Sequence, residues 1–393
     1  MNKNIESFFI NNYFEFKNFV CHCDKDILNT SPGQAPIFVL KVYSDHNLPL
    51  QFSYSPQSGL NLSGNAGGIL EENILGKLLA LDPSNIDKVI HFFKSYGFFF
   101  PIGEKSYESI NLDDIQIIIR RLQATTQLMS AIAKKNYVQI LYYCTYLLYN
   151  KPANLKMSSF EYAINPHSFT MYLNTYNTFP DISRRKDVFN TKKIHVNDLI
   201  LDKHNNIDLS FFNGVRNGSI TSMPGSDSQY FKNLFAMYCN FECQDKSLRY
   251  IIDFYYNLQM ECGILDFLAY GNIKLRNGNT LCAVPEQLRD PLLKIANTTL
   301  AEELNSNLSN ISPQLTSESL TPVWQIDNLL QALYFSIFYM KPGVELYKRC
   351  ENPNCKRDVY FLVKTTRTNK KYCCTACANA AAQQRSRQRK LDM

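Results

Sequence analysis

The chain has 393 residues, of which 45% are hydrophobic and 19% charged, with a net charge of +6. That length allows two or three domains with a sizeable core, and the balance is that of a globular protein, not a disordered or fibrous one. The longest apolar run, Leu329–Met340, is broken by Gln331 and Ser336 and is too short to span a bilayer, and Met1–Glu6 lacks the charged-then-apolar order of a signal peptide. With twelve cysteines and no secretory pattern, thiols are expected, in a soluble cytoplasmic protein.

Residues 1–60 alternate polar and aromatic positions, as in Ala35–Tyr43 and Leu50–Tyr54, and are expected to form antiparallel strands. Cys21-His22-Cys23 lies among them, and with no second pair at finger spacing it reads as ordinary strand thiols. The glycine-rich Gly64–Gly68 leads toward a helix expected from Ile69, and without a following Lys-Ser/Thr it is no phosphate loop. Asp82-Pro83 should open a helix that Gly97 closes, with Ile86, Val89, Ile90 and Phe93 on one face. Asn111 should cap the next helix, with the stripe Ile115, Ile118, Ile119 and Leu122 buried and Arg120-Arg121 solvated. Asp113 and Asp114 complement that helix dipole and make no catalytic pair. Tyr137–Tyr149 reads as a further helix ending before Pro152.

Residues 175–228, with Arg184–Lys186, Lys192-Lys193 and a Gly/Ser/Asn-rich end, read as strands and loops around an internal boundary. Tyr230–Leu268 is helical in pattern, with Cys239 and Cys243 as core thiols. Asn305–Thr321 reads as a linker or exposed loop and Trp324–Tyr339 as an apolar helix, with Leu329, Leu330, Leu333 and Ile337 as its buried stripe.

The C-terminal stretch is the most specific. Cys350 and Cys355 form a C-x4-C pair, and after seventeen residues Cys373 and Cys377 form a C-x3-C pair. Two close thiolate pairs suit a tetrahedral Zn²⁺ ion, and Asn352-Pro353-Asn354 supplies the turn for the first. Asp358–Lys364 and Lys371–Cys373 read as the strands of a hairpin, and Thr375–Lys390, without Gly or Pro, as a helix. Knuckle, hairpin and helix in this order describe a treble-clef finger holding one structural zinc. Cys374, giving C-x2-C with Cys377, is the alternative third ligand. The expected fold class is α+β: a helix-dominated mixed body with N-terminal β-hairpins, plus the small C-terminal finger. The expected domains are 1–225 as a mixed N-terminal body, 226–345 as a mainly helical continuation packing on it, and 346–393 as the finger.

The run from Leu329 through Tyr347–Cys350, Tyr372-Cys373, Cys377 and Asn379 to the basic end Arg385, Arg387, Arg389 and Lys390 resembles the CGNR-type zinc finger of bacterial regulators. In that family the finger closes a chain whose larger N-terminal part is a mostly helical domain often called ABATE. Where the family reads Cys-Gly-Asn-Arg, this chain reads Cys377-Ala378-Asn379-Ala380. The resemblance implies a nucleic-acid-binding regulator of transcription.

Charge points the same way. Residues 348–393 carry twelve Lys/Arg against three Asp/Glu, whereas the remainder carries 29 against 32. A basic end on a slightly acidic body suits a polyanion. Lys364, Arg367, Lys370 and Lys371 on the hairpin and Arg385, Arg387, Arg389 and Lys390 on the helix are the candidate phosphate contacts, with DNA ahead of RNA. A homo-oligomer or protein partner, and an unidentified small-molecule ligand of the body, are the other expected partners, with no membrane. No nucleophile elbow, metalloprotease histidine pair or kinase signature is present, so no enzyme is expected. The alternative is an interaction or scaffold protein whose finger is only structural.

Overall fold

Apolar–polar alternation builds two long strands, β1 (Glu15–Leu28) and β2 (Ile37–Ser55), which pair antiparallel. The structure, a computed structural model, describes residues 14–28, 36–55, 59–63, 69–104, 107–150, 153–158, 160–164, 166–171, 246–262, 265–266, 273–275, 279–315, 322–340, 345–355, 360–364 and 369–391. The two sequence stretches taken as separate strands are one strand, β2. Its register with β1 slips between Phe19 and Val20, opposite His46–Leu48, where Pro49 cannot donate to a ladder. On its other edge β2 pairs with β3 (Gly59–Ser63) and β5 (Glu108–Asn111), and β4 (Ile69–Asn73) pairs with β3. Ile69 thus begins a strand where a helix was expected, and α1 follows at Ile74–Ala80. The mixed α+β class with N-terminal antiparallel hairpins stands.

The chain divides into two units, the first made of Met1–Ala133, Ala153–Ile164 and Leu304–Met393, the second of Lys134–Pro152 and Asn165–Glu303. In the first, Phe14, Phe16, Cys21 and Cys23 of β1 and its lead-in face inward with Leu40, Val42, Phe52 and Tyr54 of β2. Helix α2 (Ile86–Tyr96) starts at Asn85, whose Oδ1 accepts the Lys88 N–H; Asp82 instead opens the turn before it. Gly97 closes α2 at φ 79°, where a Cβ would overlap the Asn18 side chain and the Phe19 carbonyl. Asn18 donates to the carbonyls of Tyr96 and Phe98, so it caps the helix end from the sheet. Asn111 caps α3 (Leu112–Lys134) as expected, by accepting from Asp113 N–H. Arg121, expected in solvent, is buried because α3 packs well beyond its apolar stripe, with Thr125, Leu128 and Met129 also enclosed. Arg120 stays exposed and donates to Ser84 Oγ.

The first unit continues with the small hairpin β6 (Ala153–Lys156) and β7 (Glu161–Ile164). In the second unit, α4 (Tyr137–Tyr149), α5 (Lys246–Cys262) and α6 (Glu286–Leu308) as far as Glu303 carry the core, and β8 (Leu265–Asp266) and β9 (Lys274–Leu275) form a short hairpin. Residues 175–228 and the pair Cys239 and Cys243 lie outside the described residues, as does the expected boundary at 225.

Asn305 was expected in a linker, but α6 runs on to Leu308, anchored by buried Leu304 and by Asn307 Oδ1 accepting from Tyr162 OH. A hairpin follows, β10 (Ser312–Leu315) with β11 (Pro322–Gln325), so Trp324 lies in a strand. Asn328 then caps α7 (Leu329–Phe338), whose expected stripe Leu329, Leu330, Leu333 and Ile337 is fully enclosed. The chain ends with β12 (Glu345–Arg349), β13 (Tyr360–Lys364) and α8 (Thr375–Leu391).

Candidate metal centre

The C-terminal hairpin pairs differently from expectation. β13 pairs antiparallel with β12, from Glu345 opposite Lys364 to Arg349 opposite Tyr360, and Lys371–Cys373 forms no strand. The first cysteine pair therefore sits in the connection between β12 and β13. Tyr347 stands opposite Leu362 on one face of the pair, and Phe361 and Val363 lie on the other.

Turn chemistry shapes the knuckle. Asn352 Oδ1 accepts the Asn354 N–H and Asn352 O accepts the Cys355 N–H, closing the loop so that Cys350 and Cys355 face one point. The Glu351 N–H donates to Lys371 O, which stitches the knuckle to the segment carrying Cys373. Cys374 O accepts the Ala378 N–H, so Cys374 is the N-cap of α8 and Cys377 lies in its first turn.

These three devices bring the Sγ atoms of Cys350, Cys355, Cys373 and Cys377 within 4.8 Å of one another, the one such group among the described residues. Cys355 and Cys373 are 3.6 Å apart, Cys373 and Cys377 3.5 Å, and Cys377 and Cys355 3.6 Å. A tetrahedron with Zn–S bonds of about 2.3 Å has edges of about 3.8 Å, so the spacing fits one thiolate-bound ion. None of the five cysteines here forms a disulfide. Burial, with the neighbouring thiols adding to it, pushes the Cys373 thiol far up. A divalent cation would balance the charge of the thiolates that such a group offers it. Phe361 and Val363 are buried with Cys350 and Cys377, and Tyr372 packs beside them, keeping one side of the cluster dry.

Cys374 approaches Cys373 at 3.8 Å between sulfurs but is not part of the four-thiol group, in line with Cys373 as the third donor. In Cys21-His22-Cys23 the strand alternation turns both thiols inward and His22 outward, so the three do not converge. Burial pushes the Cys23 thiol up to about 12. The glycine-rich Gly64–Gly68 lies outside the described residues.

The finger docks through contacts that sequence reasoning did not find. Tyr347 OH donates to Asn73 Oδ1 at 2.9 Å, and the same oxygen accepts the Gly76 N–H as the cap of α1. The Tyr360 carbonyl reaches α1 so closely that a Cβ on Gly76 would lie 2.5 Å from it. The hydrogen bond and this backbone approach both run to α1. A helix expected from Ile69 passes over the Asn73 cap, and its tyrosine partner lies 274 residues away.

Of the candidate phosphate contacts, Lys370, Lys371, Arg385 and Arg387 are exposed. Lys371 Nζ lies 3.4 Å from Glu351 Oε2, and Lys370 Nζ lies over the Phe361 ring. Lys364 is the last residue of β13, and Arg389 and Lys390 continue α8; their side chains and Arg367 lie outside the described residues. Beyond buried Ala381, every residue from Ala382 to Arg387 is exposed, so this part of α8 stands in solvent on all faces. No described helix is long and apolar enough to cross a membrane.

Comparison of the chain with protein-family models, with curated proteins and with solved structures gives no match.

Proposed function

We propose that the chain is a zinc-dependent nucleic-acid-binding protein of the regulatory kind implied by its CGNR-like C-terminus. Four thiolates favour zinc over harder cations, and a closed four-thiolate shell leaves no position for substrate, which makes the ion structural. Cys350, Cys355, Cys373 and Cys377 then fix the first turn of α8 to the knuckle. The observation that carries the reading is the rest of that helix: solvent-exposed on every face from Ala382 to Arg387, and basic through Arg385 and Arg387. One or two cations complement a helix C-terminus, and the chain places four between Arg385 and Lys390. Such a helix suits phosphate contact, which is largely independent of sequence. With Ala380 where the family has arginine, affinity rests on the helix end.

The test is duplex binding over a salt series. Replacing Arg385, Arg387 and Arg389 together by Ala should weaken binding to all sequences and flatten the logarithmic salt slope by about two to three. Metal content and folding should stay as they are. Unchanged affinity and slope would move the protein to the second reading, an interaction protein with a purely structural finger. That reading has its own observation: Ile27, Leu28, Ile37 and Phe38 pair across the far end of the β1–β2 hairpin and are all exposed.

A further inference from the structure

We propose that Cys374 is a peroxide-reactive thiol that unloads the metal centre by forming a disulfide with Cys377. The inference rests on the four-thiolate reading of the centre. A tetrahedral site uses four sulfurs, and this chain sets a fifth beside them, half-buried and 3.8 Å from Cys373 Sγ. The position of that fifth sulfur decides its partner. Cys374 is the N-cap of α8 and Cys377 the third helical residue, as the Ala378 N–H to Cys374 O bond shows. An N-cap side chain reaches back over the third residue of its helix, and the Cα separation there falls within the disulfide range of about 4.4–6.8 Å. Cys373, although near, is joined to Cys374 by a single peptide, and a bridge between neighbours would force that peptide from its trans plane.

The chemistry balances with a hydroperoxide as oxidant. The Cys374 thiolate attacks one peroxide oxygen, the O–O bond breaks, hydroxide leaves and a sulfenic acid remains. The Cys377 thiolate attacks that sulfur, the S–S bond forms, the S–O bond breaks and a second hydroxide leaves. Two thiolates give up two electrons and the peroxide takes them. Cys377 then no longer offers a thiolate, the shell falls to three donors, and the first turn of α8 loses its tie to the knuckle.

The test treats the full-length protein with hydrogen peroxide and follows zinc release with a chromogenic chelator. Free thiols are then alkylated after denaturation. The tryptic peptide Tyr372–Arg385 holds Cys373, Cys374 and Cys377 together, so the one residue alkylated reports the pairing. The expectation is alkylation at Cys373 alone in wild type, and in Cys374→Ser full metal at rest with release slowed about tenfold or more. Equal release rates in wild type and Cys374→Ser, or alkylation at Cys374 or Cys377, would overturn the proposal. Loss of metal from untreated Cys374→Ser would also overturn it, because Cys374 would then be a ligand. Should wild type carry no metal, the four-thiolate reading fails by itself. The alkylation map then still decides the pairing: Cys373 alone supports it, any other residue refutes it.

Discussion

Asp253 is fully enclosed on α5, with Arg249 Nε 2.7 Å from its Oδ1. Oδ1 of buried Asn257, one turn on, finds no donor among the described residues. Burial outweighs the Arg249 charge and pushes the carboxyl up to about 6 from an ordinary 3.8. The folded chain therefore keeps this proton where the unfolded chain has lost it. The contribution to stability is fully present below about pH 4 and is lost as pH rises to about 6, a change of about 3 kcal/mol. Asp253→Asn should show a shallower fall in stability from pH 4 to pH 6.5 by denaturant titration; a fall equal to that of wild type would contradict the assignment. At the metal centre, Cys355→Ser removes one of four donors. It should lose the ion and the near-ultraviolet signal of Tyr347 and Tyr372, while Cys374→Ser keeps both. Metal retained in Cys355→Ser would show that the four thiols do not act as a set.

The finger, Glu345–Leu391, is an element that cannot stand by its own core. Among the described residues its buried side chains are few, chiefly Tyr347, Cys350, Phe361, Val363, Cys377 and Ala381. Such a small core needs a metal and a platform. The platform is α1, where Gly76 lets the Tyr360 carbonyl sit against the helix. Gly76→Ala sets a methyl against backbone that cannot swing away, and should destabilise the docked finger by about 1–3 kcal/mol. Tyr347→Phe, which removes the hydroxyl that donates to Asn73, should cost about 1 kcal/mol. Amide exchange in β12 and β13 measures both; protection unchanged in Gly76→Ala would place the docking elsewhere. Much of this region was legible, because cysteine spacing, Asn352-Pro353-Asn354 and the Gly-free helix each act locally. The strand partner of Tyr360–Lys364 was not, since Lys371–Cys373 alternates no worse than Glu345–Arg349 and only the closure of the knuckle favours the latter. Residues 69–73 misled for a similar reason: Ile69-Leu70 precedes Ile74-Leu75 at helical spacing, and the pairing with β3 overrides it. Helix α6 also had a visible signal, buried Leu288, Leu292, Ile295, Ala296 and Thr299 at helical intervals.

Over the whole molecule the charge is divided, with twelve Lys/Arg against three Asp/Glu in residues 348–393 and 29 against 32 elsewhere. This pattern can draw a polyanion to one end while the body repels it weakly. The cysteine cluster sits near where the two parts meet in sequence, and in the proposed function an ion held there fixes the basic helix. The direct measurement is the salt dependence of duplex DNA binding by the full-length protein before and after zinc is stripped with a chelator, and again after zinc is restored. The account predicts that stripping weakens binding by about tenfold or more at low salt and flattens the logarithmic slope, and that zinc restores both. Stripped protein that binds with the same affinity and the same slope as the zinc-loaded protein would contradict it.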